Sequence, residues 1–199
     1  MESKTKTTTQ SKSKSKRRTL VMPVQFWYAC LIMNGYKTGE SKGSMHVANC
    51  QGLYLGLYAQ KHTWPSNRST MMSTLHEWWP DLPETVLDPP DAMFEEGCIW
   101  GLVGYIKSCC QAACACACPH LEGVWSPVRK DICVDSKWRY KHVTQLVDTI
   151  RLEFPVSARP CGGGLFTQRI PLRAIPIDSM SSEQIHMWNA TVARRNPPL

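Results

Sequence analysis

No apolar run in this 199-residue chain reaches the roughly 18–20 residues that span a bilayer. The longest, TLVMPVQFWYACLIM at residues 19–33, is interrupted by Pro23 and Gln25. It follows a basic segment, as the core of a secretory signal does, but the next residues, NGYKTGE, contain no small-x-small cleavage site. The expectation is a cytosolic, non-secreted chain with reduced thiols, in which the sequons at Asn67 and Asn189 are coincidental. A phosphate loop is excluded as well, because Gly162-Gly163-Gly164 has no Lys-Ser/Thr after it. No nucleophile signature surrounds the clustered cysteines, so a catalytic thiol is not expected there. Net charge is scarce outside one end: seven Lys and Arg against Glu2 in residues 1–18 carry nearly all of the formal +7.

What remains is ample for a core, with 43% hydrophobic residues. The segment 1–18, with Ser and Lys alternating, buries nothing and is expected to be disordered. Its Lys12, Lys14, Lys16, Arg17 and Arg18 suit RNA, an acidic membrane or nuclear import alike. Residues 20–33 read as a buried strand ending in a hairpin turn at Asn34-Gly35, with a return strand near 36–50. GLYLGLYAQ alternates Leu53, Leu55, Leu57 and Ala59 against Tyr54, Tyr58 and Gln60, the period of a half-buried strand. Residues 61–90 read as loop, where Trp64, Trp78 and Trp79 offer flat contact area or cap the sheet.

Two helices are expected downstream. Asp91 caps the first, whose stripe is Phe94, Cys98, Ile99, Leu102, Val103 and Ile106, although Gly97, Gly101 and Gly104 weaken it by about 1 kcal/mol each. Cys98 is a small apolar member of that stripe. The second carries Val143, Leu146, Val147, Ile150 and Phe154 at helical spacing and stops at Pro155. After it, prolines and glycines break the chain into short pieces, among which GGGLFTQRIPLRAIP reads as an extended segment, and a mobile terminus.

Six of the ten cysteines lie between Cys109 and Cys118 or at Cys133. Adjacent and alternating cysteines bridge one another poorly, which argues against a disulfide scaffold. Palmitoylation of Cys109, Cys110 and Cys114 is one alternative. Metal is the other: Cys116, Cys118, His120 and Cys133 form C-x-C-x-H-x12-C, a mixed sulfur and nitrogen set suited to a closed, structural Zn²⁺ site. His142, Cys110 or Cys114 could replace one ligand.

The CACPH motif with its later cysteine resembles the zinc-binding arrangement of the Vif (virion infectivity factor) proteins of bovine lentiviruses, the bovine immunodeficiency and Jembrana disease viruses. KHVTQLVDTIRL is similar to their elongin-binding helix, with Val143-Thr144-Gln145 in place of Ser-Leu-Gln. The resemblance is specific over residues 116–152 and compositional elsewhere. It implies an adaptor, not an enzyme, that recruits host elongin B/C and a cullin ubiquitin ligase to an APOBEC-class deaminase, in the host cytoplasm and the virion. Carried over, Val143, Leu146, Val147, Ile150 and Leu152 contact elongin, and Trp64, Trp78 and Trp79 face the deaminase. The alternative is a zinc-containing, basic nucleic-acid-binding regulatory protein, with Trp27, Trp125 or Trp138 stacking on bases.

The expected fold class is α+β: a small antiparallel sheet in the N-terminal half, a helical zinc-stabilised module in the C-terminal half and an irregular Pro/Gly-rich tail. The divisions fall at 1–18 (basic tail), 19–90 (β-rich, target-binding), 91–154 (helical, zinc and partner-binding) and 155–199 (Pro/Gly-rich).

Overall fold

A computed structural model describes residues 16–42, 50, 52–61, 66–78, 80–110, 142–160 and 164–195. The elements in chain order are β1 (Lys16–Gln25), α1 (Phe26–Met33), β2 (Gly39–Lys42), β3 (Leu53–Gln60), α2 (Arg68–Trp78), β4 (Cys98–Cys110), β5 (His142–Ser157), β6 (Phe166–Pro171) and α3 (Ser182–Arg195). The strands form one sheet in the order β2-β5-β4-β3-β1-β6. Among the described strands only β1 and β3 run parallel; the other pairs are antiparallel. The protein is therefore mixed α+β, but its sheet draws strands from both halves of the chain.

Both faces of the sheet are covered. On one, Ala29, Cys30 and Ile32 of α1 pack over Met22, Val24, Leu53, Leu55, Leu57, Trp100 and Val103. On the other, Trp188 of α3 and the segment with Ala174, Ile175 and Met180 cover Val21, Tyr54, Tyr58, Ile99, Leu102, Ile150, Leu152 and Ile170. A further layer lies outside α1, where Met71, Met72 and Leu75 of α2 meet Leu31, Val86 and Leu87. Being enclosed by sheet and α2, α1 is apolar all round, as a buried helix must be. The alternation expected for residues 53–60 is present, but the Tyr face is as buried as the Leu face, with Tyr54 at 0% exposure.

The run at 20–33 is thus part strand and part helix, and Asn34-Gly35 ends a helix instead of turning a hairpin. Gly35 takes φ +78°, with Gly35 N–H donating to Ile32 O and Tyr36 N–H to Leu31 O. Those two bonds are the Schellman pair that satisfies the last carbonyls of a helix. The return strand is short, and β2 pairs with β5 at the far edge of the sheet.

The two expected helices at 91–154 are strands. Asp91 caps only a turn, through Met93 N–H (3.2 Å), and β4 begins at Cys98. With both faces covered, β4 buries Ile99, Trp100, Leu102 and Val103 consecutively, a pattern indistinguishable from a buried helix by spacing. Gly101 is where β5 approaches closely: a Cβ there would stand 2.7 Å from the Ile150 carbonyl oxygen. In β5 the helical spacing comes from a bulge. Val147 pairs with Gly104 and Thr149 with Val103, leaving Asp148 as an extra residue at φ +54°. The bulge reverses the pleat, so Leu146 enters the α1 core while Ile150 and Leu152 enter the α3 core.

The segment 155–199, expected to be irregular around one extended piece, holds β6 within that piece and, beyond it, α3. The start of α3 is a capping box: Ser181 Oγ accepts the Gln184 N–H (3.2 Å), and Gln184 Oε1 accepts the Ser181 N–H (2.8 Å). The expected loop 61–90 holds α2, capped by Asn67, whose Oδ1 accepts the Thr70 N–H at 2.8 Å. No helix among the described residues is long and apolar enough to cross a membrane.

Candidate functional site

Among the described residues the buried polar or charged side chains are Thr19, Lys37, Glu40 and Thr191. Thr191 has a structural task, accepting the Tyr54 N–H and donating to the Met187 carbonyl, each at 2.8 Å. Lys37 and Glu40 are different in kind. Their side chains are 2% and 8% exposed, and Lys37 Nζ lies 3.5 Å from Glu40 Oε2. Both make contacts beyond this pair.

The backbone that presents them is held from two sides. Leu31 O, at the end of α1, accepts the Lys37 N–H (2.9 Å), and Thr38 O accepts the Leu146 N–H from β5 (2.9 Å). Gly39 and Glu40 then enter the ladder opposite Gln145 and Thr144. Tyr28, one turn before the end of α1, places its ring 4.7 Å from Lys37 Nζ, a cation–π contact. Trp27 and Tyr28 are half-buried, and Phe26 meets Trp27 and Trp100 edge to face at 4.9 and 5.1 Å.

Taking two charges from water costs several kcal/mol each, and an apolar pair of similar volume is often at least as stable. Packing alone therefore does not call for Lys37 and Glu40. What the pair supplies is a fixed donor and a fixed acceptor, side by side, beside an aromatic face. Such an arrangement matches a planar ligand that presents an acceptor next to a donor.

The residues expected to act are distributed elsewhere. Leu146, Ile150 and Leu152 are core residues of β5, and Val147 is half-buried in the same strand; Val143 also lies in β5. They form no helical stripe. Lys16, Arg17 and Arg18 belong to β1 and are not a disordered tail. Trp78 ends α2. Cys116, Cys118, His120, Cys133, Cys114, Trp64, Trp79, Trp125, Trp138, Lys12 and Lys14 lie outside the described residues. Cys110 and His142 are register partners at the end of the β4–β5 pair. Among the described residues no three His, Cys, Asp or Glu side chains are grouped to hold a metal.

Of the other cysteines, Cys98 is half-buried at the start of β4, while Cys30 and Cys50 are buried. Burial pushes the Cys30 thiol from 9.0 up to about 12, which leaves it unreactive at neutral pH. Tyr54 donates to Asp148 Oδ2 (2.5 Å), and Gln184 of α3 donates to Asp148 Oδ1 (2.7 Å). Burial, then this bond, raises the Tyr54 pKa, so the hydroxyl is a structural donor.

Sequence reasoning passed over Lys37 and Glu40. Their signal was slight: two opposite charges three apart, directly after a helix-stopping Asn-Gly. Compared with known proteins, the chain matches no family model and no curated protein.

Proposed function

We propose that the chain is a nucleic-acid-binding regulatory protein that holds a base against the α1 aromatics, with Lys37 and Glu40 reading its edge. The observation that carries this is the buried Lys37–Glu40 pair beneath Tyr28. Base edges place acceptors beside donors: lysine donates to O6 and N7 of guanine, and a carboxylate accepts from the cytosine amino group. Aromatic faces beside such groups add about 1–3 kcal/mol of stacking per base. In a water-poor site a wrong base leaves one buried charge unpaired, which is the source of selectivity.

The test is fluorescence anisotropy of labelled single-stranded RNA and DNA, with circular dichroism on every variant. Glu40→Gln and Trp27→Ala are each expected to weaken binding about tenfold or more, within the stacking and charge-pair range. Wild-type protein that binds neither oligonucleotide at moderate salt refutes the proposal.

The elongin-recruiting, deaminase-degrading adaptor, with a structural zinc, is the second proposal. It rests on the C-x-C-x-H-x12-C spacing at Cys116–Cys133 alone, because residues 143–152 offer a partner no amphipathic helix. Co-purification of elongin B/C with wild type but not with Cys118→Ser would favour it over nucleic-acid binding.

A further inference from the structure

β6 (Phe166–Pro171) is one edge of the sheet. Its ladder with β1 runs through six pairs, from Lys16 opposite Pro171 to Val21 opposite Phe166, without a shift. The other edge is different: β2 has four residues, and β5 beyond it shifts register at Asp148 and again between Arg151 and Val156. Among the described residues no backbone bond outside the β1 ladder reaches residues 166–170. A straight edge of this kind presents a row of N–H and C=O groups to any extended chain.

The two faces of β6 differ. Met22 and Val24 enter the α1 core, which puts the even-numbered residues of β1 on the α1 face. Thr167 and Arg169, opposite Leu20 and Arg18, lie on that face too, and both are exposed. Phe166 and Ile170 lie on the other face, in the α3 core. An open depression of about 550 Å³ is lined by Lys16, Arg18, Thr167, Gln168 and Arg169, with no carboxylate in the lining. Arg18 has contacts of its own, so the cation that decides is Arg169, on the edge strand itself.

We propose that β6 takes up an acidic, extended peptide of a partner protein as a seventh strand, with carboxylates on the α1 face beside Arg169 and apolar side chains on the other beside Phe166 and Ile170. Strand addition draws its affinity from main-chain bonds and its specificity from alternate side chains. A carboxylate opposite Arg169 stands about 10 Å, or two strand spacings, from β1 and its Lys16, close to the Debye length of physiological salt. Charge excludes two other occupants. Pairing β6 with a second copy brings the cations of both copies together, and residues 1–15 carry Lys4, Lys6, Lys12 and Lys14 against Glu2. A polynucleotide answers the charges but not the alternating donors and acceptors of the edge. Lys37 and Glu40 take no part.

The experiment is fluorescence anisotropy of the full chain with a labelled, end-blocked hexapeptide of alternating Glu and Val, the length of β6. Its controls are the Lys-Val counterpart and a Glu-Val peptide N-methylated throughout, neither of which should bind. Arg169→Glu turns an attractive cross-strand pair into a repulsive one and should weaken binding about tenfold, with circular dichroism unchanged because Arg169 is exposed. Amide hydrogen exchange in β6 should slow when the peptide binds. A Glu-Val peptide that does not bind, or that binds regardless of Arg169→Glu or of N-methylation, overturns the proposal. An oligouridine that binds with the same dependence on Arg169 while the peptide does not assigns the patch to a nucleic acid and overturns it. A dimer in sedimentation, with β6 amides protected before any peptide is added, assigns the edge to a second copy and overturns it likewise.

Discussion

Replacing Lys37 by Met leaves the Glu40 carboxylate in a site where its side chain is 8% exposed, deprived of an ammonium 3.5 Å away. At an effective dielectric of 20 the lost attraction is about 5 kcal/mol, and breaking buried pairs from one side typically costs about 3–5 kcal/mol. Glu40→Leu should cost a similar amount by removing the carboxylate beside buried Lys37, which keeps the Tyr28 ring and its other contacts. The double variant removes both desolvation penalties together with the attraction, so it should lie within about 1–2 kcal/mol of wild type. The coupling energy from the cycle should then be about 3 kcal/mol or more, beyond the usual scatter of additivity. Urea denaturation of the four proteins measures it, and in a chain of this length each single variant should melt roughly 6–20 °C lower. Single variants within 1 kcal/mol of wild type, or strictly additive ones, would refute a buried and mutually dependent pair.

The bulge in β5 makes an opposite forecast from a helix at the same residues. Asp148→Gly and Asp148→Ala both lose the bonds to Tyr54 and Gln184, but at φ +54° glycine should be the more stable by about 1 kcal/mol. A helix would favour alanine by a similar margin, so the sign of the difference in urea midpoint decides. Alkaline stability tests Cys30: its thiol is neutral in both states below pH 9, ionises above that only when unfolded, and stays protonated in the fold to about 12. Stability should therefore fall between pH 9 and 12 by about 1.4 kcal/mol per pH unit more than in Cys30→Ala, and parallel profiles would refute the burial argument.

How far the sequence discloses this fold depends on whether one local pattern has one meaning. At residues 53–60 it does, because strict alternation over eight residues fits a strand and nothing else. Asn34-Gly35 discloses a positive φ but not what it terminates; hairpin and helix stop use the same backbone state, and the choice was made by the enclosure of α1 between sheet and α2. In β5 the alternation is erased by one inserted residue, and Leu146 and Ile150 acquire a helix-like separation of four while pointing to opposite cores. Only the partner strand shows the insertion, and its Val103 and Gly104 lie far off in sequence from Thr149 and Val147. The cap of α3 was local yet passed over, although Ser181-x-x-Gln184 precedes Ile185, Trp188 and Val192 at helical spacing. The candidate site was not legible for the converse reason: Lys37 and Glu40 are common surface residues, and their meaning comes from burial that α1, β2 and β5 create together. Arg169 is the same case, an ordinary arginine until the register of β6 sets it against Arg18.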